Sequence, residues 1–137
     1  MSNSFWINLP VTDLARSREF FRQLDFTFND QHGLAGMVSM VVGTPPVIVN
    51  LFPEAAFAGM AGNVASDALH FAEVILSIGA DSREEVNELT EKARQAGGVV
   101  YGEPAEVQGW MYASGFRDLD GHRWSLLHMD MSRMRKG

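Results

Sequence analysis

Four histidines, His32, His70, His122 and His128, are the side chains of this sequence best suited to move a proton or hold a metal near neutral pH. They are scattered. No HxH or HxxxH spacing sets two imidazoles side by side on one strand or helix face. His70 and Glu73 lie at the entry to a β-rich run in which alternation puts His70 on the side of Val74 and Glu73 on the other. The plain reading is two solvated residues at a strand end; a displaced metal site using His70 is the alternative. His122 falls in a turn, and His128 has the parity of Trp124 and Leu126. Asp118 and Asp120 offer a carboxylate pair, but in Asp-Leu-Asp-Gly such side chains bond their own backbone rather than a reacting proton. The absence of cysteine excludes thiol nucleophiles, zinc fingers and disulfides. What remains is aromatic and apolar: Trp6, Phe52, Trp110, Met111 and Tyr112 lie in runs able to line a common space with the amide of Asn8.

The stretch that must position Trp6 and Asn8 is Phe5 to Phe26. Alternation from Phe5 to Val11 puts Phe5, Ile7, Leu9 and Val11 on one face, uniformly apolar and fit to meet a helix. Trp6, Asn8 and Pro10 then face something that tolerates an indole and an amide, such as an open cavity. Thr12-Asp13 predicts a helix start. Leu14, Ser17, Phe20, Phe21 and Leu24 form its buried stripe. Strands are expected at Leu24 to Phe28, Gly36 to Val42 and Pro46 to Phe52, with a polar run Asn29 to Gly33 and a reversal at Gly43-Thr44-Pro45. Pro53 to Asp67 has little periodicity and reads as an exposed connector with at most one helical turn.

The pattern then restarts. Phe71 to Ile78 predicts a strand, and Ser82 with Glu85 fits a capping box. Val86, Leu89, Ala93 and Ala96 form the next helix's stripe, and Gly97-Gly98 ends it. Val99 to Tyr101, Trp110 to Phe116 and Arg123 to Met129 are strands, the last two joined by the turn Asp118 to His122. Aligning Asp13 with Asp81 gives a repeat offset of 68 residues (81 minus 13). Repeats this small share one core. The chain therefore divides into module one at 4–53, a connector at 54–67, module two at 68–131 and a frayed tail at 132–137 holding Arg133, Arg135 and Lys136.

At 137 residues and 46% hydrophobic, the chain supports a real core as a single domain of two modules. Its net charge of -6, with no basic aromatic stripe, argues against nucleic acid as a partner. The start MSNSFW lacks a basic segment followed by an apolar run, and no apolar stretch approaches the ~20 residues that span a bilayer. A cytoplasmic protein without membrane contact is expected.

Two βαβββ units in tandem, with NLPVTDLARSREFF in the first and FRDLDGHRWSLL closing the second, resemble the vicinal oxygen chelate superfamily over residues 4 to 131. That group includes glyoxalase I, extradiol dioxygenases, methylmalonyl-CoA epimerase and the bleomycin and fosfomycin resistance proteins. The resemblance implies an α+β fold of two tandem βαβββ modules whose curved mixed sheets enclose a central cavity, a homodimer, and in metal-using members a divalent ion in the cavity. Carried over position by position, the usual ligands would fall at Trp6, Asn50, Val74 and Ser125, and none of these is His, Asp or Glu. A cation held by an amide and a hydroxyl alone lacks the anionic oxygens or imidazole that offset its desolvation. The expectation is a glyoxalase-like or bleomycin-resistance-like protein without a cofactor that binds or sequesters a small molecule. Its ligand would meet Trp6, Asn8, Asn50, Phe52, Trp110, Met111, Tyr112 and Ser125. Two alternatives stand: a lyase, isomerase or dioxygenase of glyoxalase type recruiting a divalent metal ion through His70, and a dimeric interaction module in which Trp6 plugs the cavity.

Overall fold

The computed structural model describes residues 4–29 and 36–134. His32, most of the polar run Asn29 to Gly33, and the tail residues Arg135 and Lys136 lie outside them. The chain divides into two units, Met1–Phe71 and Ala72–Gly137, and each builds one four-stranded mixed sheet. Among the described residues no helix is long and apolar enough to cross a membrane.

The first unit runs β1 (Trp6–Val11), α1 (Leu14–Gln23), β2 (Thr27–Phe28), β3 (Val38–Val42), β4 (Val47–Pro53) and α2 (Glu54–Ala61). Its sheet order is β1-β4-β3-β2, with β1 parallel to β4 and the other pairs antiparallel. The alternation expected of β1 is present: Leu9 and Val11 are buried, Trp6 and Asn8 exposed. Asp13 caps α1 by accepting a hydrogen bond from the Arg16 amide at 3.1 Å. The helix then buries Ser17, Phe20 and Phe21. With Leu24, Val38, Met40, Val49 and Leu51 they form the core of this unit.

Leu24 and Asp25 prove to be the end of that helix, not the start of a strand. The Asp25 amide donates to Arg22 O at 3.0 Å and the Phe26 amide to Phe21 O at 3.0 Å, which closes the paired bonds of a Schellman motif. Asp25 stands in the left-handed region at φ 64°, and the rings of Phe21 and Phe26 meet at 4.9 Å across the turn. Only Thr27 and Phe28 then pair with β3. The expected connector also changes: Glu54–Ala61 is an eight-residue helix that begins after Pro53 and stops at Gly62, φ 72°. Its alanines favour a helix, yet it buries no residue. It therefore leaves no apolar stripe for a periodicity argument to find.

The second unit runs β5 (Ile75–Gly79), α3 (Arg83–Gln95), β6 (Val99–Val107), β7 (Met111–Arg117), β8 (Arg123–Met129) and the short α4 (Met131–Met134). The order β5-β8-β7-β6, again with one parallel pair, repeats the first unit's plan. Ser82 caps α3, taking the Glu85 amide at 3.0 Å, while the Glu85 carboxylate takes the Asp81 amide at 2.9 Å. The caps are thus Asp13 and Ser82, 69 residues apart (82 minus 13). That is one more than the offset from pairing Asp13 with Asp81, so the counterpart of Trp6 is Ile75 and not Val74. Nor does the strand begin at Phe71. Phe71 and His70 both donate their amides to Asp67 O, closing a turn, and the ladder with β8 starts at Ile75 opposite Arg123.

β6 runs past Tyr101 to Val107 despite Gly102 and Pro104. As a sheet edge it can leave an imino nitrogen unpaired, and its register shifts on both sides of Gly102. The core holds Val86, Ala93, Phe116, Trp124 and Leu126, with the Phe116 and Trp124 rings stacked at 6.5 Å. Three buried polar side chains, Thr90, Ser114 and Asp118, are tied into it. Thr90 donates to Val86 O at 2.6 Å and meets the Ser114 hydroxyl at 2.6 Å. Asp118 accepts the amides of Asp120 and His122 on one oxygen and the Trp124 indole N–H on the other, each at 3.0 Å. Burial pushes the Asp118 carboxyl up from its ordinary value, against the pull of His122 and these three donors.

Candidate functional site

Each sheet has a face that its helix does not cover, and the paired strands put polar side chains at the same place on both. In the first unit Asn8 of β1 stands opposite Asn50 of β4, and Asn50 Nδ2 donates to Asn8 Oδ1 at 3.1 Å. Trp6, opposite Ile48, and Phe52, opposite Pro10, share that face. The Trp6 indole is 58% exposed. In the second unit Ser77 of β5 stands opposite Ser125 of β8, which is itself opposite Gly115 of β7. Each unit therefore carries a polar pair across its one parallel ladder.

A pocket of about 380 Å³ opens on this face of the second unit. Ser77 and Ser125 supply hydroxyls, and Ile75, Ala105, Val107 and Ala113 supply apolar wall. Such a volume with a few polar groups is within the usual range for small-molecule sites. Tyr101 crosses the floor: a Cβ on Gly115 would lie 2.5 Å from its ring, so the ring can rest there only because residue 115 has no side chain. Glu103 also borders the pocket, but its carboxylate is held by Arg94 of α3 at 2.5 and 2.6 Å. Arg123 places its guanidinium 5.2 Å from the Tyr101 ring centroid.

Of the side chains the sequence pointed to, Asn8, Asn50, Trp6 and Phe52 share the first unit's open face, and Ser125 lies in the second unit's pocket. Tyr112 does not. Its hydroxyl donates to Asn87 of α3 at 2.7 Å and its ring takes the Arg83 guanidinium at 5.0 Å, so it is on the helix side. Met111 has the parity of Ala113 and is on the pocket's face, whereas Trp110 sits in the turn before β7. His70 Nδ1 lies 2.6 Å from Asp67 Oδ2 in an exposed turn, and that bond holds the Asp67 carboxyl below its ordinary value. His128 Nδ1 bonds Ala80 O at 3.0 Å. Among the described residues no three His, Asp or Glu side chains gather as metal ligands would. The positions matching the usual ligands hold Trp6, Asn50, Ile75 and Ser125, a donor set that does not fit a divalent cation. Sequence reasoning missed Ser77 and Tyr101. Ser77 emerges once β5 is set in register with β8, and the Gly102–Gly115 pair is the signal that a side chain approaches the backbone closely.

Two four-stranded mixed sheets, each of the order found here, define an α+β protein of the vicinal oxygen chelate class. The model of the Glyoxalase/Bleomycin resistance protein/Dioxygenase superfamily matches residues 4–126, and the chain belongs to that superfamily. Among solved structures it is similar to a hypothetical protein from S. aureus, at 34% identity over 93% of this chain and 94% of that one, with a TM-score of 0.82. A glyoxalase/bleomycin resistance protein/dioxygenase family enzyme from Burkholderia phytofirmans shares the fold at 16% identity, covering 90% of this chain and 96% of that one, TM-score 0.76. So does a lactoylglutathione lyase from Agrobacterium tumefaciens, at 15% identity over 96% of both chains, TM-score 0.67. A search of curated proteins returns no match.

Proposed function

We propose that the chain is a small-molecule-binding member of its superfamily that works without a resident metal ion. The observation that carries this is the donor set on the open sheet faces. Where metal-using relatives would place anionic or imidazole ligands stand an indole, an amide, an aliphatic side chain and a hydroxyl: Trp6, Asn50, Ile75 and Ser125. Such groups hold flat or amphipathic molecules by contact and hydrogen bonding. The second unit's pocket, with its two serines and apolar wall, supports the same reading.

The test is dialysis of tag-free protein against Zn, Ni, Co, Mn and Fe salts in turn, with elemental analysis and a thermal melt for each. The expected result is substoichiometric metal and an unchanged melting temperature. Near-stoichiometric uptake with a raised melting temperature would overturn the proposal, because an ion bound to the native state stabilises it by mass action. A panel of small molecules screened by the same melt then looks for the ligand.

A further inference from the structure

We propose that the pocket of the second unit takes an uncharged carbonyl compound, whose oxygen accepts hydrogen bonds from Ser77 and Ser125 while its apolar body fills the rest of the space. The inference rests on the small-molecule reading above and names the ligand's chemical class. Two independent observations carry it. The first is charge. Among the described residues that line the pocket Glu103 is the one charged group, and Arg94 already holds both of its oxygens. An anion entering here would leave water without meeting a cation, and a cation would meet a carboxylate already neutralised. The second is the placement of the hydroxyls. The registers set Gly102, Gly115, Ser125 and Ser77 in one row across β6, β7, β8 and β5. Tyr101 lies over Gly115 at one end of that row. At the other end stand the two serines, whose hydroxyls have no hydrogen-bond partner among the described residues.

The spacing of that pair fits a carbonyl oxygen. Neighbouring strands run about 4.8 Å apart and strand side chains stand roughly perpendicular to the sheet, so the hydroxyls of a directly opposed pair are separated by about the same distance. Two O–H donors about 4.8 Å apart, each about 2.75 Å from one shared oxygen, meet it at an angle of about 120°, the separation of a carbonyl's two lone-pair directions. Ser114 does not compete for that oxygen, since its hydroxyl meets Thr90 at 2.6 Å in the core. Ile75, Ala105, Val107 and Ala113 supply wall that offers no polar partner, so the body of the ligand is apolar.

The probes are acetophenone and 2-acetylnaphthalene, titrated into the full chain by NMR with affinities read from the amide signals. Each is paired with the hydrocarbon in which a methylene replaces the carbonyl oxygen, α-methylstyrene or 2-isopropenylnaphthalene, and with the carboxylate, benzoate or 2-naphthoate. An apolar pocket without aimed donors prefers the hydrocarbon, the more hydrophobic of each pair. The expected order is instead ketone over hydrocarbon by roughly fivefold or more, and ketone over carboxylate by roughly tenfold or more. Ser77→Ala and Ser125→Ala should each weaken ketone binding roughly threefold to tenfold and leave hydrocarbon binding unchanged. Ser77 is exposed on an edge strand, so its variant serves as the test if Ser125→Ala fails to fold. Hydrocarbon or carboxylate binding as tight as the ketone's, indifference of the ketone to either variant, or no binding by either ketone would overturn the proposal. A charged ligand found in the melt screen and untouched by both variants would leave the broader binding function standing while this inference falls. Near-stoichiometric metal uptake beside an intact, serine-dependent ketone preference would overturn the metal-free reading alone.

Discussion

Asp118 illustrates how a side chain that resembles a catalytic acid can be committed to architecture. Its two oxygens hold two turn amides and the indole of a core tryptophan, and the side chain is buried away from any substrate. Asp118→Ala strands three buried or half-buried donors at once. It should cost about 3 kcal/mol of stability by denaturant titration, and a loss under about 1 kcal/mol would show that water replaces the carboxylate readily. At Thr90 the same logic gives a smaller effect. Thr90→Val removes the hydroxyl that meets Ser114 and should destabilise by roughly 1 kcal/mol, whereas Thr90→Ser, which keeps the bond, should cost less.

At the scale of elements, the two long helices end alike but with different residues in the left-handed position. α3 uses Gly97 at φ 106°, and α1 uses Asp25 at φ 64°. Because only glycine takes that conformation without steric cost, Asp25→Gly should raise stability by up to about 1 kcal/mol; a drop in melting temperature would mean that the carboxylate contributes more than the strain removes. α3 is also fastened to β6 by Arg83 and Glu106 at 2.7 Å. The Arg83 hydrogen bond holds the Glu106 carboxyl below its ordinary value, so the native state keeps the anion more readily than the unfolded chain does. The contribution is therefore present at neutral pH and lost as pH falls through the lowered value. Wild type and Glu106→Gln should differ slightly in melting temperature near neutrality and converge in acid. Much of this level was legible beforehand. Alternation in β1 and the stripe of α1 are local patterns, and so are the caps at Asp13 and Ser82. The start of β5 was not, because it is fixed by pairing with β8 nearly fifty residues later, and a one-residue slip exchanged Ile75 for Val74. Tyr112 is different: strict alternation with Met111 forbids both from facing one pocket, so its helix-side position was readable from the strand itself.

For the molecule as a whole, the repeat was legible because each unit restates the same order of caps, stripes and turns, whereas the pocket was not, since it depends on registers within a sheet. Between the last strand of the first unit and the first of the second, residues 62–74 carry no helix or strand and are mostly exposed. Brief proteolysis should therefore cut here first and yield two fragments, each with one complete sheet, by mass spectrometry. Early cuts in the turn before β7 would contradict that ranking of local stability. The contact of Tyr101 with Gly115 carries a consequence of another kind, about the order in which this sequence can change over generations. A side chain cannot appear at 115 while the tyrosine ring occupies its space. In any lineage that gains one, the ring at 101 must first swing aside or give way to a smaller side chain, and the two columns of a family comparison should vary together.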